Sequence, residues 1–185
     1  MMQKFKKQSQ KGGSRIAFWM ISAVHDNRLL SILKDPVDIL KRAGIKHGDR
    51  VLEVGCGPGF YTLAASEIVA AKGHVYAVDV NSWAIRRVRQ KVEHAGINNI
   101  TTLQGNAAES GLPTRSLDAA FLFGLPRVVG GLKSLILELR RVIKPGGLVS
   151  FQKSRRSADA LVREMESAGF VLNHGSGRIQ QFIKR

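Results

Sequence analysis

The sequence from residue 50 onwards alternates short β-type runs with helical stretches, and this alternation restricts the fold more than any other feature. The predicted strands are Arg50–Val54, His74–Asp79, Ile100–Gln104, Ser116–Phe123, Gly147–Gln152, Phe170–His174 and Arg178–Ile183. The predicted helices between them are Phe60–Ala71, Ser82–Ala95, Gly131–Ile143 and Ser157–Ala168. Such alternation indicates a parallel sheet that is covered by helices on both faces.

The end of the chain departs from this alternation. Only Gly175, Ser176 and Gly177 separate the last two predicted strands. Such a link is too short for a parallel crossover, so the two strands must form an antiparallel hairpin. The sequence therefore predicts a single doubly wound α/β sheet of seven strands, six parallel and one antiparallel.

Length and composition agree with one globular domain. Of 185 residues, 44% are hydrophobic and 23% are charged, which excludes a wholly disordered or fibrous chain. Residues 1–15 carry five basic and no acidic side chains, and we expect a flexible basic arm there. Residues 16–44 carry two helical patterns, the second starting at Asp35 and Pro36, and we expect a helical N-terminal cap.

Basic residues are in clear excess, with 29 Lys and Arg against 14 Asp and Glu, a net charge of +15. Eleven basic and four acidic side chains leave +7 in residues 1–50, and thirteen against five leave +8 in residues 113–185. Residues 51–112 carry five of each and are neutral. This balance favours an anionic partner such as nucleic acid, an acidic membrane or a charged substrate, although solubility alone also explains it.

Cysteine content and hydropathy indicate the cellular location of the chain. Cys56 is the only cysteine, which excludes an internal disulfide. The apolar run at residues 16–24 lacks a cleavage pattern and is shorter than the about 20 apolar residues of a transmembrane helix. No two histidines have metal-ligand spacing, so we expect no metal. The expected location is the cytoplasm, and the oligomeric state is left open.

The sharpest motif lies where the first strand runs into the first helix, and reads Glu-Val-Gly-Cys-Gly-Pro-Gly over residues 53–59. Glycines let a backbone turn tightly and approach a ligand, with the first N–H groups of the helix facing it. In open α/β sheets, ligands bind at this turn. Phe60 stands where a dinucleotide fingerprint needs its last glycine, and no Gly-Lys-Ser/Thr follows, which disfavours NAD and excludes a P-loop.

Two acids frame this turn. Asp79 ends the second strand, twenty residues after Gly59, and a carboxylate there can accept hydrogen bonds from both hydroxyls of a ribose. Glu53 would be an odd neighbour for a pyrophosphate but a good one for a cation. A ribose without a pyrophosphate indicates an adenosine-type cofactor.

These features resemble the class I S-adenosylmethionine-dependent methyltransferases, particularly the small-molecule type similar to the ubiquinone and menaquinone biosynthesis methylases. The matching segments, in the family's order within residues 50–152, are 53–59, Asp79, 105–113, 116–123 and 138–147. They correspond to the glycine turn, the ribose-binding acid, the adenine loop, the fourth strand and the turn into the fifth. The resemblance implies the strand order 3-2-1-4-5-7-6 with the seventh strand antiparallel.

The resemblance also implies a methyltransferase domain over residues 16–185, with S-adenosyl-L-methionine as cofactor and S-adenosyl-L-homocysteine as product. The expected cofactor-binding residues are Glu53, Gly55, Cys56, Gly57, Gly59, Asp79, Val80, Asn106, Ala107 and Phe123. Glu53 is expected to add charge near the cofactor's amino group, and Asp79 to hold the ribose. Asn106, with Ala107, would read adenine, but it stands where the family usually has Asp and so lacks a charge.

Catalytic residues are not assigned by these motifs. His25, next to Asp26, is a candidate acid or base in the cap, with a role at a helix end as the alternative. Cys56 could be a nucleophile, but a small side chain inside the glycine turn is the simpler explanation. Methyl transfer from a sulfonium does not require a strong base, because holding the acceptor close and dry supplies much of the rate.

The leading function is therefore methyl transfer to a small or lipophilic acceptor, and two alternatives stay open. An RNA methyltransferase would explain the net charge of +15, although the basic clusters carry few of the aromatic residues that nucleic-acid sites use. A cofactor-binding protein without turnover would explain the lack of an obvious base.

Overall fold

A computed structural model describes residues 35–123, 128–152, 158–174 and 178–185. The elements in chain order are α1 (Pro36–Arg42), β1 (Arg50–Val54), α2 (Phe60–Val69), β2 (His74–Asp79), α3 (Ser82–His94), β3 (Ile100–Gln104), a 3-10 turn (Ala107–Glu109), β4 (Leu117–Leu122), α4 (Leu132–Val142), β5 (Ile143–Gln152), α5 (Ala158–Ser167), β6 (Phe170–His174) and β7 (Ile179–Lys184). The predicted arm and most of the predicted cap, residues 1–34, lie outside the described residues, so those boundaries stay predictions.

All seven strands belong to one sheet, in the order β3-β2-β1-β4-β5-β7-β6. Strands β1 to β5 pair in parallel, with Val51 opposite Val75 of β2 on one side and Ala119 of β4 on the other. β7 is antiparallel to both β5 and β6. The predicted fold class, strand order and terminal antiparallel strand are therefore confirmed.

Short polar residues cap the starts of α1 and α3. Asp35 caps α1, where its carboxylate accepts from the Val37 N–H at 2.9 Å and Pro36 occupies the first turn. Asn81 caps α3 in the same way, accepting from the Trp83 N–H at 2.9 Å. Because Asn81 caps α3, Asp79 just before it is available for another role.

The sheet is covered on both faces, as the alternation predicted. Leu40 of α1 and Ala65 of α2 pack on Val75 of β2 and its neighbours. Ile85 of α3 packs on Ala77, two residues further along β2 and therefore on the same face. The buried residues of the other face include Leu52, Leu135, Leu139, Phe151, Met165 and Phe182, which bring in α4 and α5.

The largest difference from the predicted elements is the start of β5. The prediction began this strand at Gly147, whereas it begins at Ile143. Ile143 pairs with Leu117, and the register shifts before Ala119 pairs with Leu148. Lys-Pro-Gly-Gly therefore forms an irregular part of the strand instead of a loop before it. The other bounds differ by two residues or fewer.

Candidate functional site

The glycine turn lies at the carboxyl edge of the sheet, between β1 and α2. Gly57 has a φ of +52°, and no atom of the described residues lies within 4 Å of the position that its Cβ would take. Gly59 has a φ of +88°, and its Cβ would stand 3.1 Å from the Val88 Cγ2 atom of α3. Gly59 thus serves the close packing of α2 on α3, whereas the Gly57 backbone borders open space.

Glu53 is buried at the end of β1, with 2% of its surface exposed. One carboxylate oxygen accepts a hydrogen bond from the Thr62 Oγ1 hydroxyl at 2.5 Å. Burial raises the pKa of Glu53 to about 8, the Thr62 hydrogen bond opposes this shift, and the charge of Asp79 adds to it. At neutral pH the carboxyl group is therefore mostly protonated, and it carries the expected charge only when a cation stabilises it.

Asp79 ties the glycine turn to the start of α3. Its Oδ2 atom accepts from the Gly57 N–H at 2.9 Å, and its Oδ1 atom accepts from the Asn81 N–H at 2.8 Å. Burial raises the pKa of Asp79, and the backbone hydrogen bonds from Asn81, Gly57 and Val80 oppose the shift. The carboxylate is thus held in one orientation, and each oxygen keeps a lone pair for a further donor.

Among the described residues, these two acids have no cationic partner. Across residues 35–123 and the other described ranges, no Lys or Arg forms an ion pair with Glu53 or Asp79. Buried acids without a cation cost free energy, and clusters of acids with shifted pKa values are typical of functional sites.

A recess of about 70 Å³ lies beside Asp79 at the carboxyl edge. Five of the ten predicted cofactor residues line it, namely Gly55, Asp79, Val80, Asn106 and Ala107. The Asn106 Oδ1 atom accepts from the Ala108 N–H at 3.0 Å, so this oxygen already caps the 3-10 turn. The structure therefore gives the Asn106 carbonyl a local partner that the sequence interpretation did not include.

Two other predicted site residues, Cys56 and Phe123, are buried and do not line this recess. Cys56 is 4% exposed and packs with Ala77, Ile85 and Val88, and burial raises the pKa of its thiol well above the usual value. Its side chain is thus a core residue, which agrees with the packing interpretation and disfavours a nucleophile. Phe123 follows β4 and is also buried, with its ring centroid 5.3 Å from that of Tyr61.

Sequence reasoning missed Thr62 and Tyr61. Thr62 is fully buried in the first turn of α2 and supplies the hydroxyl that Glu53 accepts from. Tyr61 packs edge-on against Phe121 and Phe123, and burial together with Glu53 raises the pKa of its hydroxyl. The available signal was the helix start at Phe60, which places the next residues over the end of β1.

One predicted site residue, His25, lies outside the described residues, so its role stays a prediction. Within the described ranges, no group of three or more His, Cys, Asp or Glu side chains could hold a metal ion. None of the helices described here is long and apolar enough to cross a membrane.

Comparisons with known proteins agree with this architecture. Residues 51–147 match the family described as "Methyltransferase domain". A demethylmenaquinone methyltransferase of Geobacillus stearothermophilus is 33% identical over 148 residues, which cover 77% of this chain and 63% of that protein. The chain thus spans less than two thirds of the length of this relative.

Two solved structures share the fold. A SAM-dependent methyltransferase from Aquifex aeolicus has a TM-score of 0.70 at 24% identity, covering 92% of this chain and 97% of that one. A fibrillarin from Aeropyrum pernix, solved with natively bound S-adenosyl-L-methionine, has a TM-score of 0.64 at 16% identity, covering 75% and 68%. The chain belongs to the methyltransferase domain family, and its predicted resemblance to the class I S-adenosylmethionine-dependent methyltransferases is confirmed.

Proposed function

We propose that this chain transfers a methyl group from S-adenosylmethionine to a small or lipophilic acceptor. One observation carries the proposal: two acids without a described cationic partner, Glu53 and Asp79, flank the open backbone of Gly57. Membership of the methyltransferase domain family supports the same reaction.

The residues at the carboxyl edge fit this cofactor. The Asp79 carboxylate, held by two backbone N–H groups, retains lone pairs for the two hydroxyls of a ribose. Glu53 is a buried acid that a ligand ammonium group would complement. Gly57 leaves room for the ligand at the position that a Cβ would take. We therefore assign cofactor binding to these three residues.

The recess beside Asp79 fits the remaining part of the cofactor. Val80 and Ala107 supply apolar walls, and the adjoining Asn106 side chain offers an amide. These groups would hold an adenine ring by apolar contact, with one polar group to orient it. The Asn106 oxygen caps the 3-10 turn, so the amide offers the ring one remaining lone pair and its NH2 group.

The aromatic cluster of Phe121, Phe123 and Tyr61 supports the chemical step. It lies at the end of β4, close enough to Glu53 for the Glu53 charge to raise the pKa of the Tyr61 hydroxyl. Bound S-adenosylmethionine supplies an activated methyl group, and apolar walls that exclude water favour its transfer. Burial and, after it, the Glu53 charge raise the pKa of the Tyr61 hydroxyl, which disfavours this group as a base.

The class of acceptor is proposed from the relatives. Relatives named demethylmenaquinone methyltransferase favour a lipophilic ring compound. Because this chain covers only 63% of the first of them, the acceptor side of that enzyme cannot be transferred residue by residue. We therefore propose the class of acceptor and not its identity.

The test is transfer of label from methyl-labelled S-adenosylmethionine into a fractionated bacterial extract. We expect label in the organic-extractable or small-molecule fraction with the wild-type chain and with Asp118→Asn, and none with Asp79→Ala. Label in a ribonuclease-sensitive polymer would replace the proposed acceptor with RNA. Binding of S-adenosylhomocysteine without transfer into any fraction would contradict the enzymatic function.

A further inference from the structure

Helix α3 carries an exposed basic face, although the region around it has no net charge. Residues 51–112 are neutral, yet four of their five basic residues lie on this helix, namely Arg86, Arg87, Arg89 and Lys91. Glu93, near its end, is the only acid on the helix. The three arginines are exposed. The positive charge is thus concentrated on one short surface.

An apolar tip adjoins this basic face. Trp83, in the first turn of α3, is 36% exposed, and Val80, just before the helix, is 44% exposed. The Arg86 guanidinium carbon lies 4.8 Å from the centre of the Trp83 ring. Arg89 extends towards β3, donating from Nε to the Thr102 Oγ1 atom at 2.8 Å. We call Val80, Trp83, Arg86, Arg87 and Arg89 the α3 face.

The α3 face lies next to the proposed cofactor site. Helix α3 begins three residues after Asp79, so its first turns stand at the carboxyl edge of the sheet. Val80 also lines the recess beside Asp79. A surface to which the α3 face binds would therefore be brought close to the site.

We propose that the α3 face docks the protein on an anionic lipid surface, with Trp83 at the interface and the arginines over the headgroup phosphates. An aromatic ring with a polar edge suits the boundary between acyl chains and water. Basic side chains near an anionic leaflet each add a modest attraction that salt weakens. The proposal builds on the proposed function, since a lipophilic acceptor is found in a bilayer.

The composition of the α3 face favours lipid over single-stranded RNA. Sequence-tolerant RNA sites stack successive bases on several aromatic platforms. Among the large hydrophobic residues that the structure describes, Trp83 is the one aromatic with this degree of exposure. One face of its ring already contacts Arg86. A single, partly covered ring beside an aliphatic residue suits an interface better than a stack of bases.

The experiment is co-sedimentation of the full chain with vesicles of phosphatidylcholine, either alone or mixed with phosphatidylglycerol, without cofactor or acceptor. We expect sedimentation with the anionic vesicles only, declining as salt is added. Arg86→Gln/Arg89→Gln should lower the partition constant about 25-fold, since each lost arginine costs about fivefold. Trp83→Ala should lower it about fivefold.

The matched control removes two exposed basic residues elsewhere, on α4 and α5. Lys133→Gln/Arg163→Gln should partition within about twofold of the wild-type chain. Unchanged thermal unfolding of each variant would show that its fold is intact. Equal vesicle binding by wild type and Arg86→Gln/Arg89→Gln, or no binding by wild type, would overturn the proposal. The proposal would also be overturned if Arg86→Gln/Arg89→Gln lost RNA retention but kept its vesicle binding. These outcomes do not depend on methyl transfer, so the proposed function is tested separately.

Discussion

The two edges of the sheet both carry acidic side chains, but the partners of these acids differ. At the amino edge, Asp118 accepts from the Arg50 N–H at 2.8 Å and from the Lys144 Nζ atom at 2.5 Å. At the carboxyl edge, Glu53 and Asp79 accept only from neutral hydroxyl and backbone donors in the described part of the chain. Paired acids hold the architecture together, whereas the buried Glu53 and the half-buried Asp79 are left for a ligand to complement.

Cavity size does not distinguish the two edges in the right order. The amino edge carries a cavity of about 440 Å³, lined among others by Asp49, Asp118 and Lys144, while the recess beside Asp79 measures about 70 Å³. In the larger cavity Asp118 is paired with Lys144, and Asp49 accepts from the Lys46 N–H at 2.8 Å. The comparison teaches that unpaired donors and acceptors locate a site better than volume does.

The largest predicted effect separates the two edges directly. Asp79→Ala should weaken binding of S-adenosylhomocysteine by about 100-fold or more, because two charge-assisted hydrogen bonds are lost. Asp118→Asn, which keeps the shape of an acid at the other edge, should change the dissociation constant by less than about twofold. Titration calorimetry of both variants measures this. Similar losses of S-adenosylhomocysteine affinity in the two variants would contradict the proposed difference between the edges.

A second prediction concerns the pH dependence of binding, which the proton on Glu53 should control. With its pKa raised to about 8, Glu53 must release a proton to pair with a ligand ammonium group. Affinity for S-adenosylhomocysteine should therefore rise with pH up to about 8, by at most tenfold per pH unit, and level off above that value. Glu53→Gln should flatten the profile between pH 6 and about 8 and weaken binding at the upper end by about tenfold.

The proton itself can be counted. Calorimetry at pH 7 in buffers of different ionisation enthalpy should show release of nearly one proton by the wild-type chain on binding. Glu53→Gln should release measurably less. Equal proton release by the two proteins would mean that Glu53 is not the group that faces the ligand cation.

The smallest predicted effect concerns Gly105, which lines the recess beside Asp79. No atom in the described ranges lies within 4 Å of the position of an added Cβ, and its φ is outside the left-handed region. Gly105→Ala should therefore leave the unfolding temperature unchanged while weakening S-adenosylhomocysteine binding by a few fold, about threefold to tenfold. Unchanged binding would show that the ligand does not approach this backbone.

Much of the fold was predictable because local patterns determine it. Alternating strands and helices indicated the parallel sheet, and a link of three residues required the antiparallel hairpin. The start of β5 was not predictable, because Lys144-Pro145-Gly146 looks like a turn. It becomes part of the strand only through the pairing of Ile143 with Leu117, a contact between residues far apart in sequence.

The site was predictable to the level of motifs and no further. Glycine spacing and the position of Asp79 followed from the sequence alone. The partner of Glu53 did not, because the contact with Thr62 depends on how α2 turns back over β1. The arginines of the α3 face could be identified from the sequence, whereas the exposure of Trp83 and Val80 beside them could not, because it depends on how α3 packs on the sheet.

The most direct test of the central claim is hydrogen–deuterium exchange of the full chain with and without S-adenosylhomocysteine. The account predicts slower exchange of backbone amides in residues 55–59, 79–81 and 105–107, at the carboxyl edge. It predicts no change in residues 44–49 and 144–148, around the larger cavity. Protection of these amino-edge segments with none at the glycine turn would contradict the assignment of the site.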